Sequence, residues 1–394
     1  MTDAAPLTGV RVLDLSVMIS GPLAGMILAD QGADVIKVES PGLGDLMRLL
    51  GSSKGGVTGI YLNNNRGKRS LVLDLKQPAG VDVLKRLVAD ADVLIQNFRP
   101  GAMARLGLDY ETLSALNPDL IYVSISGYGP DGPSSHRRVY DNVIQAASGF
   151  AAVQTDPASS KPTMFRMLVC DKITAYTAAQ AITSALFARA TGKARGQHIE
   201  LAMLDAGIAF LWPDAAMDEV LLDADAHRVP TIGSNYAATE LADGYVSASA
   251  VSDAEFRGLC AALGHPEMGT DPRFATTADR MRHVGEMLTL FREYASVTPV
   301  ATFLARAEEH DVPASAILGM KDLPDDPQVR HNAVFVEREH PQAGRTREPR
   351  PAARFSATPQ RPGGFAPLYG EHSDAIVAEL GLDPAALRAA GVIR

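Results

Sequence analysis

Met167-Leu-Val-Cys-Asp171 is an apolar run that ends in one carboxylate, and an alanine-rich stretch with apolar residues at helical spacing follows it, Lys172-Ile-Thr-Ala-Tyr-Thr-Ala-Ala-Gln-Ala-Ile182. The pattern predicts a largely buried helix with Asp171 at its N-terminus. The first N–H groups of a helix have no partner within it, and that end is partially positive, so an anion is favoured there. Such a carboxylate has two uses. It can cap the helix, or it can act as a nucleophile that forms a covalent intermediate. This stretch alone leaves both open.

Other candidates lie in loops. Leu62-Asn-Asn-Asn-Arg-Gly-Lys-Arg-Ser70 reads as a polar loop whose cations, Arg66, Lys68 and Arg69, can reach a phosphate or form a solvated turn. Asn97-Phe98-Arg99-Pro100-Gly101 closes a predicted strand at 93–96, and Arg105 follows in a short helical segment, 102–106. In open α/β sheets ligands bind beyond the carboxyl ends of the strands, which suits this corner. Gly127-Tyr-Gly-Pro-Asp-Gly-Pro133 ends another strand, 121–126, in a shaped loop, and a helix carrying Tyr140, Asp141 and Gln145 begins beyond it.

The elements that must position these residues begin with a strand at 10–15, a helix over 23–30 led by Ser20-Gly21-Pro22 and stopped by Gly32, and a strand at 35–38. This β-α-β unit favours a parallel sheet. The turn Ser16-Val-Met-Ile-Ser-Gly-Pro-Leu-Ala-Gly25 lacks the G-x-G-x-x-G spacing of a dinucleotide site. A strand is predicted at 71–75, an amphipathic helix at 78–89, a strand at 196–201 and an apolar helix at 203–222. A polar linker at 223–230 leads to a hairpin around Ala242-Asp243-Gly244 and to helices at 254–263, 285–294 and 300–310. The chain returns through a strand at 334–339, a long extended connection at 341–367, and closing helices at 374–380 and 384–389.

A chain of 394 residues is too long for one core. The expected division is a large α/β domain from 1–222, a small domain with its linkers from 223–330, and a return segment, 331–394, that completes the large domain. The formal net charge of −9 argues against nucleic acid as a partner. Cys170 and Cys260 form no disulfide framework, which fits a reducing compartment. The N-terminal residues lack a signal-peptide pattern, and no apolar run is long enough to span a bilayer, so a cytoplasmic protein with no membrane partner is expected. The nine histidines are scattered without metal-ligand spacing, so no metal is expected, and neither a G-x-S-x-G elbow nor a P-loop is present.

Together, Gly9-Val-Arg-Val-Leu-Asp14, Gly32-Ala-Asp-Val-Ile-Lys-Val-Glu39, Asn65-Arg-Gly-Lys-Arg-Ser70, Asn97-Phe-Arg-Pro-Gly101, Ser124-Ile-Ser-Gly-Tyr-Gly129, Asp271-Pro-Arg-Phe274, Asp326-Pro-Gln-Val329 and Gly370-Glu-His372 carry a resemblance. In this order the sequence resembles the family III CoA-transferases, which include formyl-CoA transferase, carnitine CoA-transferase and α-methylacyl-CoA racemase. The resemblance implies a doubly wound, Rossmann-like large domain with a smaller α+β domain, in an interlocked homodimer. It implies a CoA thioester and a carboxylic acid as substrates, with coenzyme A as substrate and not as a permanently bound cofactor. The family's catalytic aspartate falls on Asp171, its CoA-contacting pair on Asn97 and Phe98, and its following arginine on Arg105. Arg66, Lys68 and Arg69 match the region that approaches the CoA phosphates, and Tyr140 matches an active-site aromatic. Transfer would then run through an aspartyl anhydride and an aspartyl-CoA thioester.

Two departures narrow the reading. The racemase branch has a His-Asp pair where this chain has Tyr140-Asp141. Proton exchange needs an acid and a base on opposite faces of the α-carbon, and a tyrosine, with a reference pKa of about 10, replaces histidine poorly. A racemase, like a non-catalytic CoA-ester-binding protein, is thus an alternative to the transferase. Formyl-CoA transferase has a glycine lid where this chain reads Val229-Pro-Thr-Ile-Gly-Ser-Asn235, and a glutamine near the first turn where this chain has Ile19, expected in the substrate pocket. Both differences argue against oxalate or formate.

Overall fold

The computed structural model describes residues 5–156, 159–360 and 362–394. The chain divides into two compact units, Met1–Val229 with Ala333–Arg394, and Pro230–Asn332.

The larger unit is built on six strands, β1 (Arg11–Asp14), β2 (Asp34–Glu39), β3 (Lys68–Val72), β4 (Val93–Gln96), β5 (Ile121–Ser126) and β6 (Gln197–Ala202). All pair in parallel, in the order β3-β2-β1-β4-β5-β6. Val12 of β1 is in register with Val35 on one side and Val93 on the other. Strands so placed are buried on both faces, which is why they read as runs of Val, Ile and Leu. Chain direction through the sheet reverses between β1 and β4. In this doubly wound order, that is where a crevice opens beyond the strand ends.

Helices cover both faces. α1 (Ser20–Asp30) joins β1 to β2, α2 (Gly59–Asn65) precedes β3, and α3 (Pro78–Ala89) joins β3 to β4. α4 (Asp141–Ala147) and α5 (Val169–Ala190) lie between β5 and β6, and α6 (Met203–Ala215) follows β6. On one face Ala24 and Leu28 of α1 share a core with Ala175, Ala178 and Ile182 of α5. The alanines let the two helices approach closely. On the other face Val83, Leu84 and Leu87 of α3 share a core with Ile376 and Val377 of the returning chain. That return is stitched to β3: Ser70 N–H donates to His372 Nδ1 (3.2 Å) and Val72 N–H to Ser373 Oγ (3.1 Å). The sheet edge is thereby covered.

Three sequence expectations change. The polar 62–70 loop is helical as far as Asn65. Thr58 caps α2, and Asn64 and Asn65 turn their amides back onto the carbonyls of Ile60 and Tyr61 (2.7 and 3.3 Å). The apolar helix from 203 stops at Ala215, two residues after Pro213, whose missing N–H costs the last turns the bond to the Ala209 carbonyl. The extended connection begins with a strand, Gly344–Pro349, paired antiparallel with Phe335–His340.

The smaller unit has a three-stranded antiparallel sheet, Thr239–Leu241, Gly244–Ala248 and Ala314–Ala316, with Gly244–Ala248 in the centre. Helices Asp253–Ala262, Val284–Val297 and Val300–Glu309 bring Ala262, Ala295, Phe303 and Ala307 into one core with Val246. A capping box, Ser252 with Glu255, starts the first of them. Among the described residues no helix is long and apolar enough to cross a membrane.

Candidate active site

Asp171 is the third residue of α5, and the cap position belongs to Leu168, which makes no side-chain cap bond. The carboxylate therefore does not cap its own helix. The N–H and hydroxyl of Ser20, first residue of α1, act on it instead by favouring its ionised form. Burial raises the Asp171 pKa to about 7, the charge of Asp141 adds to the rise, and the Ser20 bonds oppose it.

Asp141 is 2% exposed and sits at the start of α4. Its Oδ2 accepts the Asp171 backbone N–H at 2.9 Å, and its Oδ1 accepts from Gln145 Nε2 at 2.5 Å. Gln145 in turn accepts the Phe165 N–H (2.9 Å) and donates to the Met167 carbonyl (3.0 Å). This clamp fixes the approach to α5. The carboxylate that aligns the helix start is also the charge that discourages ionisation of Asp171.

Asn97 lies just past the end of β4, across the sheet reversal from the turn after β1. Its Oδ1 accepts the Val17 N–H at 2.9 Å and its Nδ2 donates to the Val17 carbonyl at 2.8 Å. An open cavity of about 480 Å³ begins there, and Asn97, Phe98, Arg105 and Tyr140 all line it. Arg99, Arg137 and Arg138 line it too, so four guanidinium groups face one cavity. All four arginines are exposed, and none has an ion-pair partner among the described residues. Tyr140 is 66% exposed and immediately precedes Asp141, which links the cavity to the nucleophile candidate.

The cations of 66–69 do not join them, which corrects the expectation of a phosphate-reaching loop. Arg66 is 3% exposed and holds Asp30 through two bonds (3.0 and 2.6 Å). Lys68, also 3% exposed, donates to Asp14 Oδ2 (2.8 Å), the Pro22 carbonyl (2.7 Å) and Asn65 Oδ1 (2.8 Å). Burial holds its pKa down at about 8 against the pull of Asp14. Arg69 is divided between Asp34 (2.9 and 2.7 Å) and Glu379 (2.7 Å). Each cation has an anionic partner in the fold. Ile19, expected in the substrate pocket, is 3% exposed and belongs to the core on the α1 side.

Sequence reasoning missed Ser20 and the part played by Asp141. Ser20 stands directly before Gly21-Pro22 at the start of α1, a signal for a helix N-terminus at a strand end. Nothing local says that the terminus faces Asp171, 151 positions further along the chain. Among the described residues no group of three or more His, Cys, Asp or Glu could hold a metal ion.

A sequence profile described as CoA-transferase family III matches residues 7–373. The succinate–glutarate CoA-transferase of Agrobacterium fabrum is 36% identical over 385 residues, covering 95% of this chain and 96% of that protein. The succinyl-CoA:glutarate CoA-transferase of Homo sapiens is 35% identical, covering 96% of this chain and 87% of that protein. A crystal structure of a CAIB/BAIF family protein from Brucella suis superposes with a TM-score of 0.85 at 33% identity, covering 96% of this chain and all of that one.

Proposed function

The chain belongs to CoA-transferase family III, and we propose that it moves CoA between a thioester donor and a carboxylic acid through covalent intermediates on Asp171. The Asp171 carboxylate attacks the donor carbonyl, an acyl–aspartyl anhydride forms, and CoA leaves as thiolate. The thiolate attacks the aspartyl carbonyl, breaking the anhydride into aspartyl-CoA thioester and free donor acid. The acceptor carboxylate attacks that thioester, releasing thiolate and forming a second anhydride. Thiolate then attacks the acceptor's carbonyl, giving the new thioester and restoring Asp171. Each step exchanges one activated acyl bond for another.

The placement of Asp171 carries this reading. Ser20 of another helix favours its ionised form, and Asp141, which accepts its backbone N–H, directly follows Tyr140 of the cavity with four unpaired cations. The Ser20 N–H, which favours the ionised carboxylate, is suited to an oxyanion developing on the aspartyl carbonyl. The waiting thiolate must stay near, and phosphate contacts at the far end of CoA hold it. Arg105, with Arg99, supplies those contacts, and Phe98 lines the path. Asn97 shapes the cavity by fixing the turn at Val17. Arg137 and Arg138 are left for a second carboxylate, and the relatives' names favour dicarboxylic acids of the succinate and glutarate kind. Arg48 cannot share that role, because it is committed to Glu39 (2.8 and 2.7 Å).

The acting form is a homodimer in this proposal. Tyr176, Phe187, Phe210 and Trp212 lie exposed on α5 and α6, an apolar surface that suits a second copy. The two cysteines are free and buried, which fits a reducing cytoplasm.

A matrix of CoA donors and acids read by mass spectrometry tests the reading. Succinyl-CoA with glutarate should give glutaryl-CoA, and hydroxylamine should trap a modified Asp171 during turnover. Transfer by Asp171→Ala above trace level rejects it. Deuterium uptake at the α-carbon of a branched acyl-CoA, without acid exchange, would assign the racemase chemistry instead.

A further inference from the structure

The turn between β1 and α1 is held in a way that a simple connection does not need. Met18 lies in the left-handed region, at φ 66°, unusual for any residue but glycine. Such a conformation persists only where the surroundings over-determine it, and here they do. Ser16 N–H donates to Asp14 Oδ1 at 3.0 Å, and the Ser16 carbonyl accepts from Lys37 Nζ. Asn97 takes both backbone groups of Val17. The Met18 N–H donates to Asp45 Oδ1 at 3.1 Å. Two residues later the chain reaches Ser20, whose N–H and hydroxyl favour the ionised Asp171 carboxylate.

The groups that grip the turn are themselves fixed. Asp45 is fully buried, its own N–H donates to Glu39 Oε1 (3.0 Å), and its Oδ2 lies 3.1 Å from Lys37 Nζ. Lys37 is also fully buried, 3.7 Å from Asp14 Oδ2, and Arg48 closes the far side on Glu39 at 2.7 Å. Buried ions are poor stabilisers compared with packed apolar side chains. A cluster of them, aimed at one strained turn, calls for another reason.

We propose that Asp45 is a positioning residue for the nucleophile: through Met18 it sets the β1–α1 turn so that Ser20 is aimed at the Asp171 carboxylate. Asp45 touches neither substrate nor Asp171, and acts through two residues of backbone. The proposal rests on the reading of Asp171 as nucleophile.

The test compares Asp45→Ala with Asp45→Asn in the full-length enzyme. Asparagine keeps an oxygen for the Met18 N–H, and alanine does not. A misplacement of about 1 Å at a reacting group lowers rates by about 100-fold. Asp45→Ala should thus lower kcat, and the rate of hydroxylamine-sensitive labelling of Asp171, by about that factor. Kd for CoA and KM for the thioester should change less than about threefold. Asp45→Asn should recover kcat to within about tenfold of wild type. Where Asp45→Ala folds poorly, the double variant with Met18→Gly decides, because glycine takes φ 66° without strain. It should fold and still turn over slowly. Three results overturn the proposal: kcat per folded molecule unchanged in Asp45→Ala, Asp45→Asn as slow as Asp45→Ala, or a double variant that regains full turnover or still fails to fold. Absence of any label on Asp171 in the wild-type enzyme is a separate failure, of the nucleophile reading itself.

Discussion

Replacing Asp171 by asparagine should make the protein more stable at pH 8 while removing transfer. The carboxyl group titrates at about 7 in the folded chain, against 3.8 as its ordinary value. The gap of about 3 pH units corresponds to an upper bound of about 4 kcal/mol at about 1.4 kcal/mol per unit. Asp171 is only partly buried, so solvent screening brings the expected figure to about 1–2 kcal/mol. The sign follows from proton counting. Below pH 3.8 both states hold the proton and the group contributes nothing. Between 3.8 and about 7 the unfolded chain has released it while the folded chain retains it, so the group destabilises the fold progressively. Above about 7 the penalty is complete. Asparagine never carries that charge and still offers an oxygen to Ser20. Urea midpoints and melting temperatures at pH 4, 6 and 8 give the assay. The variant should gain a few degrees at pH 8, and the gain should vanish by pH 4. A variant no more stable than wild type at pH 8, or equally stabilised at both extremes, would refute the electrostatic account of the site.

Four further outcomes are expected. The single-turnover rate of Asp171 labelling, measured by quench and mass spectrometry, should rise about tenfold per pH unit below about 7 and level off above it, since only the carboxylate attacks; a flat profile from pH 5 to 8 contradicts this. In calorimetric titrations Arg105→Ala and Arg138→Ala should each weaken binding about tenfold or more, for CoA and a dicarboxylate respectively, with a shallower salt dependence for CoA in Arg105→Ala. Lys68→Met should leave CoA affinity in place and lose about 3–5 kcal/mol of stability, because Asp14 keeps its charge in the core with one partner fewer. Finally, burial pushes the thiols of Cys170 and Cys260 up to about 12, so Ellman's reagent at pH 8 should find almost no thiol in the native protein and both after denaturation.

Much of the larger unit was legible in the sequence because its elements carry their own signals. The helix over 78–89 and the strands over 93–96 and 121–126 run as their periodicity predicts, one led by a proline at its first position, the others buried on both faces. The strand Gly344–Pro349 was hidden because its partners across the hairpin are ionic. Arg338 meets Glu348, and Glu337 meets Arg345 and Arg347, so no apolar alternation marks it. Asp171 stood out as a lone carboxylate in apolar surroundings. Ser20 did not, since its role depends on how α1 packs against α5. The cations misled for the same reason. Arg66 and Lys68 look free until Asp30 and Asp14, 36 and 54 positions away, arrive to neutralise them. Arg137 and Arg138 look like ordinary surface charge until the fold sets them around a cavity with no acid to match.

The penalty on the Asp171 charge and its proposed chemistry have one origin. Burial and the neighbouring Asp141 disfavour the carboxylate, and acylation removes that charge, since both the anhydride and the thioester of the side chain are neutral. Whatever free energy the ionised group costs the resting fold is relieved when the covalent intermediate forms, and this lowers the barrier to attack. The cost must be limited, because a carboxyl group titrating far above 7 would stay protonated and unreactive at neutral pH. The N–H and hydroxyl of Ser20 supply the limit by favouring the ionised form. Removing Asp141 would make Asp171 easier to ionise and a weaker nucleophile; removing the Ser20 bonds would do the reverse. The two opposing influences come from different helices, so the value near 7 depends on how α1, α4 and α5 are packed around one carboxylate, and the β1–α1 turn is the part of that packing whose geometry is held by buried charge.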